Sequence, residues 1–145
     1  MELLLTDEQS ILRSSAATFS ERRGGAARLR DLRTADTKID RVIWTEAAQA
    51  GWLAVLAPGT SSGLNLGLTE LCLISEEFGK GLVPEPVATV AVVARALGDG
   101  DLAASAAGGT AIILPALMEG SRAIGDEPPA LTAKITDSSV SLDGV

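Results

Sequence analysis

The chain has 145 residues, enough for one well-packed domain or for one domain and the start of another. Its formal net charge of −7 excludes a nucleic-acid surface, because such binding draws its affinity from Lys and Arg neutralising phosphates. One cysteine and no histidine exclude an internal disulfide, a Cys/His zinc site and any Ser-His-Asp or Cys-His catalytic set.

Charge interrupts the apolar residues every few positions, so no window reaches the roughly 20 needed to span a bilayer. The opening Met1-Glu2-Leu3-Leu4-Leu5 lacks the basic region of a signal peptide, and the expected location is cytoplasmic. Thr6-Asp7-Glu8-Gln9 is a capping box and predicts a helix from Asp7 to Arg23, ended by Gly24-Gly25, with Ile11, Leu12, Ala16 and Phe19 on one face. Ala26 to Lys38 carries a short helix and five nearby arginines, Arg22, Arg23, Arg28, Arg30 and Arg33, read as a solvated helix end and loop. Asp40 caps a further helix with Val42, Ile43, Ala47 and Ala50 at its apolar positions, closed by Gly51.

Pro58, Gly59, Gly63 and Gly67 make Trp52 to Gly67 a loop of fixed turns, with Trp52 plugged onto the core. Leu68 to Gly79 is the next helix, with Leu71, Ile74, Ser75 and Phe78 inward and Glu70, Glu76 and Glu77 outward. Cys72, among Leu71, Leu73 and Ile74, reads as a small hydrophobe there rather than a reactive thiol. Glu76-Glu77 admits an acid/base reading, but an ion pair with Lys80 fits the spacing better. Glu85 to Leu97 is apolar all round and therefore expected to be buried, and Asp101 to Ala107 adds a short helix.

Past Gly108 the pattern turns to strands, Thr110 to Leu114 and Leu131 to Thr136, then a turn at Asp137-Ser138-Ser139 and alternation over Val140-Ser141-Leu142. Asp143-Gly144 is a hairpin signal with no return strand, which predicts truncation. The expected fold class is mainly α: a helical domain over residues 1–107, then the incomplete start of a β domain over residues 108–145.

The ordered set Gly51-Trp52-Leu53, Pro58, Gly59, Gly63, Leu64, Leu66, Leu68, Glu76, Glu77, Gly79 and Pro84-Glu85-Pro86 resembles the N-terminal helical domain of the acyl-CoA dehydrogenase family. The resemblance implies a flavoprotein of three domains, helical, β and four-helix, that carries FAD and dehydrogenates an acyl-CoA thioester at its α,β positions. It also implies a carboxylate base in the C-terminal portion, so no catalytic residue is assigned here, no metal is called for, and the piece alone is expected to be inactive. Homo- or hetero-oligomers with other acyl-CoA dehydrogenase subunits are the implied partners, alongside the acyl-CoA substrate.

The family's flavin strand, approximately Thr-Glu-Pro-x-x-Gly-Ser-Asp, corresponds to Met118-Glu119-Gly120-Ser121-Arg122-Ala123-Ile124-Gly125-Asp126. By resemblance Met118 and Glu119 are the cofactor-binding candidates and Ser121 a substrate-binding one. Met118 stands where the family has a hydroxyl donor, and a thioether offers only a weak acceptor. Two readings follow: FAD bound through backbone groups and later residues, or a degenerate partner subunit that supplies fold and interface. In the helix after Pro86, Val90, Ala91 and Ala94 are small enough to leave room for an acyl group, and equally suited to close helix packing.

Overall fold

The computed structural model describes residues 4–116 and 131–144, and Met118, Glu119 and Ser121 lie outside them. Contacts divide the chain into two units, Met1–Leu114 and Pro115–Val145. Among the described residues the first unit holds six helices: α1 (Asp7–Arg23), α2 (Ala26–Thr34), α3 (Arg41–Gln49), α4 (Leu68–Lys80), α5 (Val87–Leu97) and α6 (Asp101–Ala107).

α1 begins on the predicted capping box: Gln9 N–H donates to the Thr6 hydroxyl, and Thr6 N–H donates to the Gln9 side chain. Its buried face is Ala16, Phe19 and Ser20, with Leu12 packed against the core. Ile11, expected on that face, is exposed because the face turned to α4 is narrower than the apolar pattern. α1 and α4 cross closely at their C-terminal ends, where backbone replaces side chain: a Cβ on Gly81 would sit 1.8 Å from Ser20 Oγ. The Ser20 hydroxyl donates to Glu77 O at 2.7 Å, joining the two helices inside the contact.

Three of the four aromatic residues meet at this junction. Trp52 lies edge-on to Phe19 (4.6 Å between centroids) and to Phe78 (5.1 Å), while the two phenylalanines stack at 5.5 Å. Each such pair contributes about 0.5–1.5 kcal/mol beyond the burial of its area. The fourth aromatic, Trp44 of α3, is buried and donates its indole N–H to Gly109 O at 2.8 Å, which ties the segment after α6 to the core.

Trp52 to Gly67 is ordered by hydrogen bonds rather than by a regular element. Two 3-10 turns, Trp52–Ala54 and Gly59–Ser61, are followed by a return run in which Leu64 N–H bonds Ala54 O, Leu66 N–H bonds Val55 O and Asn65 N–H bonds Ala57 O. Trp52 to Ala57 is buried throughout.

Several expectations need correction. Thr110 to Leu114 is irregular, not a strand: Ile112 and Ile113 pack against the helical core, and no strand among the described residues pairs with them. Cys72 is exposed, because helical geometry that turns Leu71, Ile74 and Phe78 inward carries position 72 to the opposite side. Glu77 is buried rather than outward, and Val42 is exposed. α5 is not buried all round either, since Thr89, Val92 and Leu97 are exposed.

In the second unit, β1 (Thr132–Ile135) pairs antiparallel with β2 (Val140–Asp143) in the register Thr132↔Asp143, Ala133↔Leu142, Lys134↔Ser141, Ile135↔Val140. The pairing places Ala133, Ile135, Val140 and Leu142 on one face and Thr132, Lys134, Ser141 and Asp143 on the other. Thr136 N–H bonds Ser139 O at 2.9 Å and closes the predicted turn.

Candidate functional site

The sequence points to α5 for a substrate wall. Pro84-Glu85-Pro86 sets the entry to this helix, and Pro86, lacking an N–H, suits a position where no intrahelical bond is made. Val87, Val90, Ala91 and Ala94 follow at helical spacing and are buried against the first 3-10 turn and α6. The facing α6 is itself built of small residues, with Ala103, Ala106 and Ala107 buried, so the two helix backbones approach closely. Val90, Ala91 and Ala94 therefore have zero exposure and form the back of the helix, while Thr89, Val92 and Ala96 are its open side. The end of α5 is pinned by the second 3-10 turn: Ser61 Oγ donates to Gly98 O at 3.1 Å, and the Thr60 hydroxyl bonds the Asp99 carboxylate.

The paired carboxylates of α4 have another role. Glu77 Oε1 accepts from Arg13 Nε and from Lys80 Nζ, each at 2.9 Å, and Glu76 lies 2.7 Å from Lys80 Nζ. The Arg13 hydrogen bond first, then that of Lys80, holds the Glu77 carboxyl below its ordinary pKa. The Lys80 hydrogen bond does the same for Glu76. A general acid or base near neutrality needs the opposite shift, so this pair is a strut between α1 and α4. Glu70 adds to it, accepting from Gln9 Nε2 and from its own Gly67 N–H, both at 2.8 Å.

Two ion pairs escaped the sequence reading. Arg23 grips Glu46 of α3 through its Nε at 2.8 Å and a second nitrogen, and Arg28 of α2 grips Glu85 through both terminal nitrogens. The Glu85 side chain has no exposed surface. The one available signal was an acid enclosed between two prolines, a backbone too constrained to turn its carboxylate outward freely.

Two open hollows are lined by described residues of the first unit. One, of about 480 Å³, is lined by Leu32, Thr37, Lys38, Ile39, Asp40 and Arg41. The other, of about 500 Å³ between α1 and α3, has Phe19 and Trp52 at its base and Arg22, Arg23 and Glu46 at its sides. Neither is lined by a glycine-rich run of backbone N–H groups for a diphosphate, and each has a carboxylate in its lining, Asp40 in one and Glu46 in the other, so these residues do not fit FAD. Among the described residues there is no cluster of Cys, Asp or Glu able to hold a metal ion, and no helix long and apolar enough to cross a membrane.

The architecture has close counterparts. It matches a variant of the Tcur3481–Tcur3483 steroid ACAD with a TM-score of 0.79 and 31% identity, over 95% of this chain and 40% of that one. It also matches the ChsE4–ChsE5 complex from Mycobacterium tuberculosis (TM-score 0.77, 24% identity, 99% and 40% covered). PigA with FAD and proline matches at TM-score 0.71 and 21% identity, over 99% of this chain and 40% of that one. The last two likenesses concern the fold alone, and the chain spans about 40% of the length of each of these solved chains. No curated protein sequence matches it. The model of the acyl-CoA dehydrogenase N-terminal domain matches residues 6–121, most of the chain, and the chain belongs to the acyl-CoA dehydrogenase family.

Proposed function

We propose that this chain is the N-terminal part of a flavin-dependent acyl-CoA dehydrogenase subunit that takes part in the α,β-dehydrogenation of an acyl-CoA thioester. The observation that carries the reading is the family match over residues 6–121 together with the six-helix arrangement of the first unit. In this role the helical unit, residues 1–107 of our domain division, walls the acyl group, and the base and flavin contacts come from outside the described residues. α5 is the wall: Val90, Ala91 and Ala94 set how deeply it seats, and Thr89, Val92 and Ala96 meet the substrate. Met118, Glu119 and Ser121 remain the candidates for flavin and thioester contact by resemblance.

A second reading is favoured by Met118, which removes the hydroxyl expected at the flavin. In it the chain is the non-catalytic subunit of a heteromeric dehydrogenase and completes the site of a longer homologous partner. Titration of the purified full-length subunit with FAD, followed by flavin fluorescence, separates the two. Saturable quenching supports a flavin-binding subunit. Absence of quenching, with co-purification of a longer homologous chain that carries FAD, supports the partner subunit. If neither occurs, both readings fail.

A further inference from the structure

α2 differs from every other helix of the first unit in having no buried residue. It packs extensively against no other helix, and its two leucines, Leu29 and Leu32, are half-exposed and outside the core cluster. Most helical stability in proteins comes from packing an apolar face, and a nine-residue helix is too short to persist on propensity alone. Something else must hold it.

The hydrogen bonds identify what does. Within residues 26–38 the backbone bonds stay inside the segment or reach Gly25, and the C-terminal end of the helix is capped from within, by Lys38 Nζ donating to Arg33 O at 2.9 Å and Ala35 O at 2.6 Å. Among the described residues the one side-chain bond from this segment to another element is the grip of Arg28 on Glu85. The two ends are suited to movement. At one end Gly24 packs on the Gly81 backbone and Gly25 N–H donates to Gly81 O at 2.7 Å, so the fixed body ends there, and beyond that bond Gly25, at φ +109° with nothing within 4 Å of where its Cβ would be, has backbone freedom that L side chains lack. At the other end Ile39 packs on the core and Asp40 caps α3 through the N–H groups of Val42 and Ile43, so the fixed body resumes there.

We infer that residues 26–38 form a strap that opens as a unit about Gly25 and Ile39, latched over the Pro84–Pro86 turn by the single ion pair Arg28–Glu85. The latch is charged at both ends, and Arg28 itself is only 19% exposed, so closure buries a pair and opening returns both charges to water. Opening also frees Glu85 at the root of α5, the helix proposed above as the substrate wall. The inference does not depend on that role, because its readouts are structural.

The strap carries its own reporters, since trypsin cleaves after Arg30 and Arg33, whose exposed side chains make no ion pair among the described residues. In the native protein, hydrogen exchange of α2 amides is expected at least about tenfold faster than that of α4 amides near Ile74, through an opening that leaves α4 closed. Glu85→Gln removes the ion pair and, because an amide nitrogen cannot accept, one of the two bonds from Arg28, and is expected to speed α2 exchange and cleavage after Arg30 by about tenfold. The rate at α4 and the urea midpoint read by tryptophan fluorescence stay within error. Exchange of α2 and α4 in step in the native protein overturns the inference, as does a Glu85→Gln variant in which both helices loosen together. If that variant does not fold, the native comparison of α2 with α4 decides alone.

Discussion

Replacing Gly81 by Ala tests how the α1–α4 crossing is held. The added Cβ would lie 1.8 Å from Ser20 Oγ, 2.9 Å from Ser20 Cβ and 3.0 Å from Ser20 O. The hydroxyl cannot simply swing into solvent, because Ser20 is 4% exposed and its Oγ donates to Glu77 O. Losing that bond costs about 1 kcal/mol and forcing the overpacked crossing apart about 1–3 kcal/mol, so Gly81→Ala is expected to destabilise by about 2–4 kcal/mol. The backbone contributes nothing, since φ at Gly81 is −88°, open to any residue. Ser20→Ala alone is mild, about 1 kcal/mol or less, because Glu77 O keeps its bond from Gly81 N–H at 3.1 Å. With Ser20→Ala present the worst contact is gone, and Gly81→Ala then costs only about 1 kcal/mol. The assay is a double-mutant cycle by urea denaturation with fluorescence of Trp44 and Trp52, both buried in this unit. A coupling of about 1–3 kcal/mol is expected, and costs that add within about 0.5 kcal/mol refute the steric argument.

Acid should weaken the same interface. The carboxyls of Glu70, Glu76 and Glu77 are held below their ordinary value, so their contribution is full above the unfolded glutamate pKa of about 4.3 and fades as pH falls through the lowered folded values. Arg13 and Lys80 are raised, so their share is lost only at alkaline pH. The urea midpoint should therefore hold level near neutrality and fall below about pH 4; Glu77→Gln should flatten that fall, and an identical acid limb in the variant counts against the strut. Trp44→Phe leaves Gly109 O without its buried donor and should cost about 1–3 kcal/mol by thermal or urea unfolding; a neutral result means water satisfies that carbonyl. Ala91→Leu overpacks the α5 seat at a position with no exposed surface and should cost about 1–3 kcal/mol, whereas Val92→Ala, on the open side, should change stability by less than about 1 kcal/mol. Equal effects at the two positions would mean that α5 does not seat as described.

What the sequence determined by itself was local. The Thr6–Gln9 box, the Asp40 cap and the glycines at 24 and 51 bounded α1 and α3, and the end expected at Gly79 fell one residue short of α4, because capping and chain reversal depend on residues three or four apart. The hairpin at 136–139 was legible for the same reason, and the ordered Gly-Trp, Gly-rich and Pro-Glu-Pro motifs placed the chain in its family. The tertiary structure decided which side of each helix faces inward. Ile11 and Val42 are apolar yet exposed, Glu77 and Glu85 are charged yet buried, and Thr110 to Leu114 has strand composition yet lies irregularly on the helical core. These outcomes turn on partners 57 to 65 residues away, Arg28 for Glu85, Arg13 for Glu77 and Trp44 for Gly109. Whether a charge is buried depends on whether a counter-charge arrives at hydrogen-bonding distance, and periodicity along the chain carries no record of that arrival.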